Sequence, residues 1–297
     1  MSCLAFLDTN TFVGIVLGMK NVLVPIDFSM NAWNAIRYAQ QLFRETSCTF
    51  YVLHVDSAPK EVLSILNNGN IAVKETLTTP RKRLGELVQR AKKTFFNSNH
   101  VYVPLIEHGQ FIEYMKKTVH EKNIDLIVMG TKGASGLREH IIGSNTGDVI
   151  TKVQCDVLVI PEGVQFKKPK EIAFPTDYNS FYSYKILNAI SEIGKLDDSA
   201  IRVMNVVKSG SILTKEQQQN KEYLFDYLNE IFTAKNSFHT ITNKNVNAAI
   251  QCFVESREID MITMVAKNLN FLQQILFDSL IEKISFHTKV PFFVIHE

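Results

Sequence analysis

Two stretches of this chain read as near copies of one another, and that repetition limits its fold more than any other feature. The segment 20–29 is KNVLVPIDFS and the segment 170–179 is KEIAFPTDYN. Each is an apolar run closed by proline and aspartate, Pro25 with Asp27 and Pro175 with Asp177. The downstream ends match as well. The segment 124–132 (IDLIVMGTK) pairs with 259–267 (IDMITMVAK), and 155–162 (CDVLVIPE) with 290–297 (VPFFVIHE). The spacing from Met129 to Met264 is smaller than that from Asp27 to Asp177. The second copy is therefore the shorter one, with the loss between its first and fourth strands. A two-copy period this long predicts tandem copies of one domain, because solenoids stack at least three short units. The full length of 297 residues fits two domains.

Inside the first copy, short apolar runs alternate with segments of helical spacing. Residues 21–26 read as a strand buried on both faces, and 48–55, 101–106, 125–129 and 156–160 as further strands. Ala32, Ala35, Ile36, Ala39 and Leu42 mark a helix over 31–43, and Leu84, Leu87, Val88, Ala91 and Phe95 a longer one. A short helical piece is expected at 61–66, another helix around Ile112, Met115 and Val119, and a last one over 144–153. This rhythm predicts an α/β fold with a parallel sheet, helices on both faces and right-handed crossovers. Residues 161–170 (PEGVQFKKPK), rich in lysine and proline, are the natural break. The expected organisation is an extension outside the fold at 1–18, a first domain at 19–162, a linker at 163–169 and a second domain at 170–297.

Composition narrows the function classes. With 45% hydrophobic and 21% charged residues the chain is not of the disordered class. A net charge of +2 gives no nucleic-acid footprint, and the basic stretch from Arg81 to Lys93 keeps helical spacing and reads as a solvated outer face. Asp8, Thr9 and Asn10 interrupt the apolar start, so no membrane span or secretory signal is expected. Cys3, Cys48, Cys155 and Cys252 are far apart and read as reduced thiols of a cytoplasmic protein. The histidines have no metal-ligand spacing, so no metal site is expected.

The sharpest local signal is glycine. Five of the 13 glycines fall at Gly130, Gly133, Gly136, Gly143 and Gly147, where the fourth strand ends. Glycine there permits close backbone approach to a ligand, and successive free amides make an anion-binding concavity. Ser144 or Asn145 would cap the following helix, whose first turn offers donors and partial positive charge to a phosphate. The plain alternative is a surface hairpin before a capped helix. Asp27 stands at the carboxyl end of the first strand, where open parallel sheets bind ligands. Its carboxylate suits ribose hydroxyls or base donors, and its plain alternative is a turn or cap residue.

These residues resemble the universal stress proteins. Nucleotide-binding members carry glycine, two residues, glycine, nine residues, then glycine with serine or threonine. Here Gly130, Gly133, Gly143 and Ser144 match in full. The likeness covers 20–162 strongly and 170–297 more faintly. It implies two Rossmann-like domains in tandem, each an open five-stranded parallel sheet of order 3-2-1-4-5. It also implies a stress-response regulatory protein binding ATP or another adenine nucleotide in the first domain, with Mg²⁺ held mainly by the phosphates. By that resemblance Asp27 lies by adenine and ribose, Val55 meets the adenine edge through its backbone, and Met129 and Gly130 line the ribose side. Gly133, Gly143, Ser144, Asn145 and Thr146 would surround the phosphates, with Lys132 screening their charge. In the second copy the glycines become Val265, Asn268 and Asp278, and only Ser279 survives opposite Ser144. That half is expected to bind no ATP and to serve as a packing partner through the last strands, the family's pairing element; a homodimer is left open. Two alternatives are a slow ATP-hydrolysing or phosphate-transferring enzyme and a nucleotide-free interaction scaffold.

Overall fold

A computed structural model describes residues 19–56, 72–131, 143–232, 235–266 and 290–297. The expected extension at 1–18 and the short helix at 61–66 lie outside the described residues. In chain order the elements are β1 (Lys20–Pro25), α1 (Met30–Leu42), β2 (Cys48–Asp56), α2 (Ala72–Thr94), β3 (His100–His108), α3 (Phe111–Glu121), β4 (Leu126–Gly130), α4 (Ser144–Lys152) and β5 (Asp156–Ile160). They continue as β6 (Glu171–Pro175), α5 (Tyr184–Leu196), β7 (Ala200–Val207), α6 (Lys215–Ile231), β8 (Asn236–Thr242), α7 (Val246–Ser256), β9 (Met261–Val265) and β10 (Phe292–Ile295). Helix α2 starts well before Leu84 and runs through Pro80.

The described strands form one sheet in the order β3-β2-β1-β4-β5-β10-β9-β6-β7-β8. Read from either end, the sequence of strands is third, second, first, fourth, fifth, which is the expected order 3-2-1-4-5 twice. Every neighbouring pair within β1–β5 and within β6–β10 is parallel. Because strand side chains alternate, Val22 and Val24 join one core layer while Leu23 joins the other. Helices α1, α2, α5 and α6 cover the first layer, and α3, α4 and α7 the second. The strands at the middle of the sheet, β1, β4, β5, β9 and β10, are largely apolar because both faces are buried there, while the outer strands β3 and β8 carry polar residues and are partly exposed.

The two halves meet at β5 and β10, the one antiparallel pair among the described strands. Phe292 faces Val159, Phe293 faces Leu158 and Val294 faces Val157. Phe293 is also the counterpart of Leu158 in the sequence repeat. A local two-fold axis therefore passes through that pair, as in an isologous interface. His296 N–H donates to Asp156 Oδ1 at 2.8 Å across the seam, and Lys20 pairs with Glu192. The strand starts are tied alike in both halves: Asp125 Oδ2 accepts from Asn21 N–H at 2.7 Å, and Asp260 Oδ2 from Lys170 N–H at 2.8 Å.

The proline-containing connection between the halves is packed down. Asn34 Nδ2 donates to Val164 O at 2.6 Å, and Phe166 meets the Tyr38 ring edge-on with centroids 5.1 Å apart. Lys167 and Lys168 pair with Asp260 and Asp197.

Burial pushes the Asp156 carboxyl up to about 6, against the pull of the His296 amide, Lys185 and Lys20. A folded-state value above the unfolded 3.8 means that the proton favours folding. The ionised carboxylate therefore weakens the fold above pH 6, and the penalty fades as pH falls toward 4. Asp156→Asn keeps an acceptor for His296 and removes the charge. Equilibrium denaturation should show the variant up to about 3 kcal/mol more stable than the parent at pH 8. The gap should close near pH 4, and the protonation of neighbouring His296, which burial holds down at about 4, cancels in the comparison.

Candidate functional site

Strand order reverses at β1, which pairs with β2 on one side and β4 on the other. Open α/β sheets bind ligands at such a switch point, beyond the carboxyl ends of the strands. Asp27, Gly130 and the start of α4 all lie at that edge, following or ending β1 and β4 and following the loop after β4.

Asp27 Oδ1 accepts from Ser29 N–H at 2.9 Å, and Ser29 Oγ in turn accepts from Ala32 N–H at 3.1 Å to cap α1. Between them Phe28 has φ +63°. The second half repeats this turn at the matching place: Asp177 Oδ1 accepts from Asn179 N–H at 3.0 Å, and Tyr178 has φ +58°. A left-handed aromatic residue is strained, so the Asp side chain is part of what makes the turn. The aspartate is thus a turn residue in both halves, whatever further role Asp27 has at the edge.

The stack around Phe28 is absent from the sequence reading. Arg83 lies over the Phe28 ring at 4.2 Å, and His54 sits 4.6 Å from it, ring to ring. His54 Nδ1 is 2.8 Å from Ile26 O, so this nitrogen carries the proton. In the second half Asn205 Nδ2 donates to Thr176 O at the same distance, from the matching register position. Arg90 likewise covers Trp33 at 4.2 Å. These two arginines of the basic stretch are therefore docked on rings rather than merely solvated. The aromatic residue shared by DFS and DYN is the sequence signal that points to this stack.

At the other side of the crevice, the loop after β4 is clasped at its ends. Thr131 N–H donates to Ile160 O at 3.2 Å, and Gly143 N–H donates to Thr131 O at 2.6 Å. The Gly143 amide is therefore spent on protein. Gly143 itself is the N-cap of α4, in extended conformation with no side-chain cap bond, so neither Ser144 nor Asn145 is the cap. Ser144, Asn145 and Thr146 form the first turn, whose amides have no carbonyl to reach within the helix. Ser144 and Asn145 are exposed. Thr146 is buried and its hydroxyl donates to Gly130 O at 2.9 Å. That side chain fixes α4 to the end of β4 instead of facing a ligand.

Gly130 has a packing reason of its own. A Cβ there would sit 3.0 Å from Asn31 Cβ and 3.3 Å from the Asn31 carbonyl. Helix α1 thus passes as close to β4 as a hydrogen allows. The Met129 side chain is buried in the second core layer, and Val55, half-buried, pairs with Glu107 near the end of β2. Lys132, Gly133 and Gly136 lie outside the described residues, as do Asn268, Asp278 and Ser279 in the second half. Val265 is half-buried at the end of β9.

The corresponding edge of the second half is occupied by its own side chains. Tyr178 and Tyr182 are buried there. Thr176 Oγ1 and Tyr182 OH are 2.6 Å apart, Asn220 Nδ2 donates to Tyr178 O at 2.9 Å, and Gln217 Nε2 donates to Asp177 O at 2.9 Å. Burial pushes the Tyr178 hydroxyl up to about 12. Among the described residues no group of three or more histidines, cysteines or acids could hold a metal ion, and no helix is long and apolar enough to cross a membrane.

Two substitutions test this local architecture. Gly130→Ala should destabilise the protein by about 1–3 kcal/mol, since the helix backbone cannot yield as a side chain would. Thr146→Val should cost about 1–2 kcal/mol through the unpaired Gly130 carbonyl. Urea unfolding midpoints measure both, and an unchanged midpoint would contradict the packing described.

A sequence model of the Universal stress protein family matches residues 18–161. The chain is 31% identical over 146 residues to universal stress protein A homolog 1 of Coxiella burnetii, covering 48% of this chain and 95% of that protein. It is 30% identical over 156 residues to a universal stress protein of Synechocystis, covering 48% and 99%. Among solved structures, a universal stress protein from Archaeoglobus fulgidus superposes with a TM-score of 0.66 at 17% identity, over 93% of this chain and 96% of that one. That last likeness speaks to the fold, and it extends over both halves of the sheet. Together with the sequence relatives, the switch-point edge and the glycine spacing place this chain in the universal stress protein family.

Proposed function

We propose that the chain is a tandem universal stress protein whose first domain, residues 19–162, binds ATP, and whose second domain, residues 170–297, is a degenerate copy that binds none. The observation that carries this reading is the glycine spacing closing on the exposed first turn of α4, at the same sheet edge as Asp27. A helix start of this kind attracts the phosphates through its unpaired amides and its dipole. Ser144, Asn145 and the Thr146 amide are the described donors, and the hydroxyl of Thr146 and the amide of Gly143 hold the turn in place. By the family resemblance Gly133 and Lys132 join the phosphates, Asp27 the ribose, and Val55, Met129 and Gly130 the nucleoside side. Mg²⁺ would be held mainly by the phosphates.

The second domain acts as the packing partner, closing the apolar edge of β5 with β10. Its own edge is filled by Tyr178 and Tyr182 with their hydrogen bonds, which supports the absence of a second nucleotide. The function is a stress-response switch in the cytoplasm, where nucleotide occupancy sets partner choice and turnover is not the output.

Mass spectrometry of the protein denatured directly after purification should release one adenine nucleotide per chain; two would remove the assignment of the second domain. Gly143→Asp tests the cradle cleanly. Asp is a favoured N-cap in the conformation Gly143 adopts, so α4 should stay intact while its start gains a negative charge. Bound nucleotide should be lost with the melting temperature of the nucleotide-free protein unchanged or raised. Sustained ATP turnover that disappears in this variant would replace the switch with an enzyme.

A further inference from the structure

The two halves finish the same pair of helices in opposite ways. Matching registers put Leu53 opposite Pro25 and Met204 opposite Pro175, so from α1 to β2 the correspondence between the halves slips by one position from that of β1 with β6. The buried faces agree: Ala35, Ile36, Ala39 and Leu42 on α1 recur as Ile186, Leu187, Ile190 and Ile193 on α5. The next helices align in the same manner. Buried Leu84 and Val88 of α2 recur as Leu224 and Leu228 of α6, and half-buried Leu87 as Tyr227. Trp33 therefore corresponds to Tyr184, and Arg90 to Glu230.

In the first half the chain supplies its own cation. Arg90 covers the Trp33 ring at 4.2 Å, and Trp33 is 5% exposed. In the second half the ring is bare. Tyr184 is 77% exposed, and among the described residues no arginine or lysine is seated on it. The position of the cation now holds a carboxylate: Glu230 is exposed and makes no ion pair with the described residues. On the same helix Tyr223, in the place of Arg83, stacks on Phe181 with ring centroids 5.3 Å apart, and both rings are exposed. Burial raises the Tyr227 hydroxyl against the pull of Ser191, and Tyr184, Tyr223 and Glu230 raise it further. All three therefore lie within electrostatic reach of one hydroxyl. The helix charge is reversed as well. Helix α2 is basic from Arg81 to Lys93 apart from Glu86, whereas α6 carries Glu216, Glu222, Asp226 and Glu230 against Lys215 and Lys221. Lys185, next to Tyr184, acts instead on Asp156 and His296 at the seam.

We propose that Tyr184 and Glu230, with the Phe181–Tyr223 stack beside them, form a docking site for an arginine side chain in a basic segment of a partner protein. The incoming guanidinium lies on the Tyr184 ring and pairs with Glu230, taking from outside the place that Arg90 takes within the first half. A guanidinium fits better than an ammonium, because it is planar, weakly hydrated and stacks on rings. Carboxylates beside the rings repel an anionic guest. The chain's own Arg83 and Arg90 are already seated on Phe28 and Trp33, so the guest comes from another protein. The site stands apart from nucleotide binding and survives its failure.

A labelled peptide of sequence Gly-Arg-Gly-Arg-Gly-Arg-Gly, followed by fluorescence anisotropy with the full chain, tests it. Binding should be saturable. The peptide with lysine in place of arginine should bind more weakly, and the one with neutral citrulline about tenfold more weakly still than the parent peptide. Tyr184→Ala should lower the affinity about fivefold, and Tyr184→Trp, which installs the residue of the first half, should retain it. Glu230→Arg should abolish binding, by seating a guanidinium of the chain itself on Tyr184. Both positions are exposed, so the melting temperatures should match the parent protein. Three results would each overturn the proposal: no saturable binding, equal binding of the lysine or citrulline peptide, or affinities unchanged in Tyr184→Ala and Glu230→Arg. Sedimentation provides the last check. Self-association of the full chain that Glu230→Arg dissolves and the peptide leaves untouched would replace the partner with a second copy.

Discussion

The antiparallel ladder between β5 and β10 is the contact on which the rest of the molecule depends. Each half alone would end in an apolar strand with a row of unpaired amides and carbonyls, a ready template for uncontrolled pairing. Joining the two edges satisfies both at once and puts Leu158 and Phe293, both buried, at the middle of a ten-stranded sheet. The same junction brings Asp156, Lys20, Glu192 and His296 together, so the charged residues of the seam are a consequence of the ladder. Their burial explains why Asp156 and His296 shift in opposite directions, each toward its neutral form.

Much of the fold is legible in the residues because its determinants are local. Short apolar runs of about four to eight residues bounded by Pro, Gly and Asp read as strands by their length and flanks, and the Ala-rich spacing of α1 gives its buried stripe directly. The strand order follows from resemblance and not from spacing, since nothing local distinguishes β4 from β2 as the second neighbour of β1. The site is less fully legible. Asp27, Gly130, Gly143 and Thr146 are all at the expected edge, yet each has an architectural partner: Ser29, Asn31, Thr131 and the Gly130 carbonyl in turn. Sequence spacing reports that small and polar residues are needed there. It does not separate residues that build the turn from those that would face a ligand, because both needs select the same types.

The comparison between the halves makes that separation, inside one chain. The Asp-aromatic turn with its positive φ persists at Asp177 and Tyr178, where the glycines are gone. What survives without the loop belongs to the scaffold. The glycine spacing is confined to the first half, and under the proposed function it is the feature that would serve a ligand. The second half has moved its large side chains, Tyr178 and Tyr182, into a closed hydrogen-bonded set with Asn205 and Asn220 around the same turn. Buried polar groups paired in this way hold a single arrangement.

The placement of β10 also sets the timing of biosynthesis. Val159 pairs with Phe292, so almost the whole second half lies between the two partners along the chain. At translation rates of about 5–20 residues per second, the β5 edge emerges from the ribosome roughly 7–27 s before its intended partner. Throughout that interval the nascent first half carries an open apolar border, and neighbouring polypeptides on the same message carry the identical one. The duplication that makes the finished molecule self-sufficient thus leaves it dependent, while it is being made, on whatever keeps those unfinished borders apart.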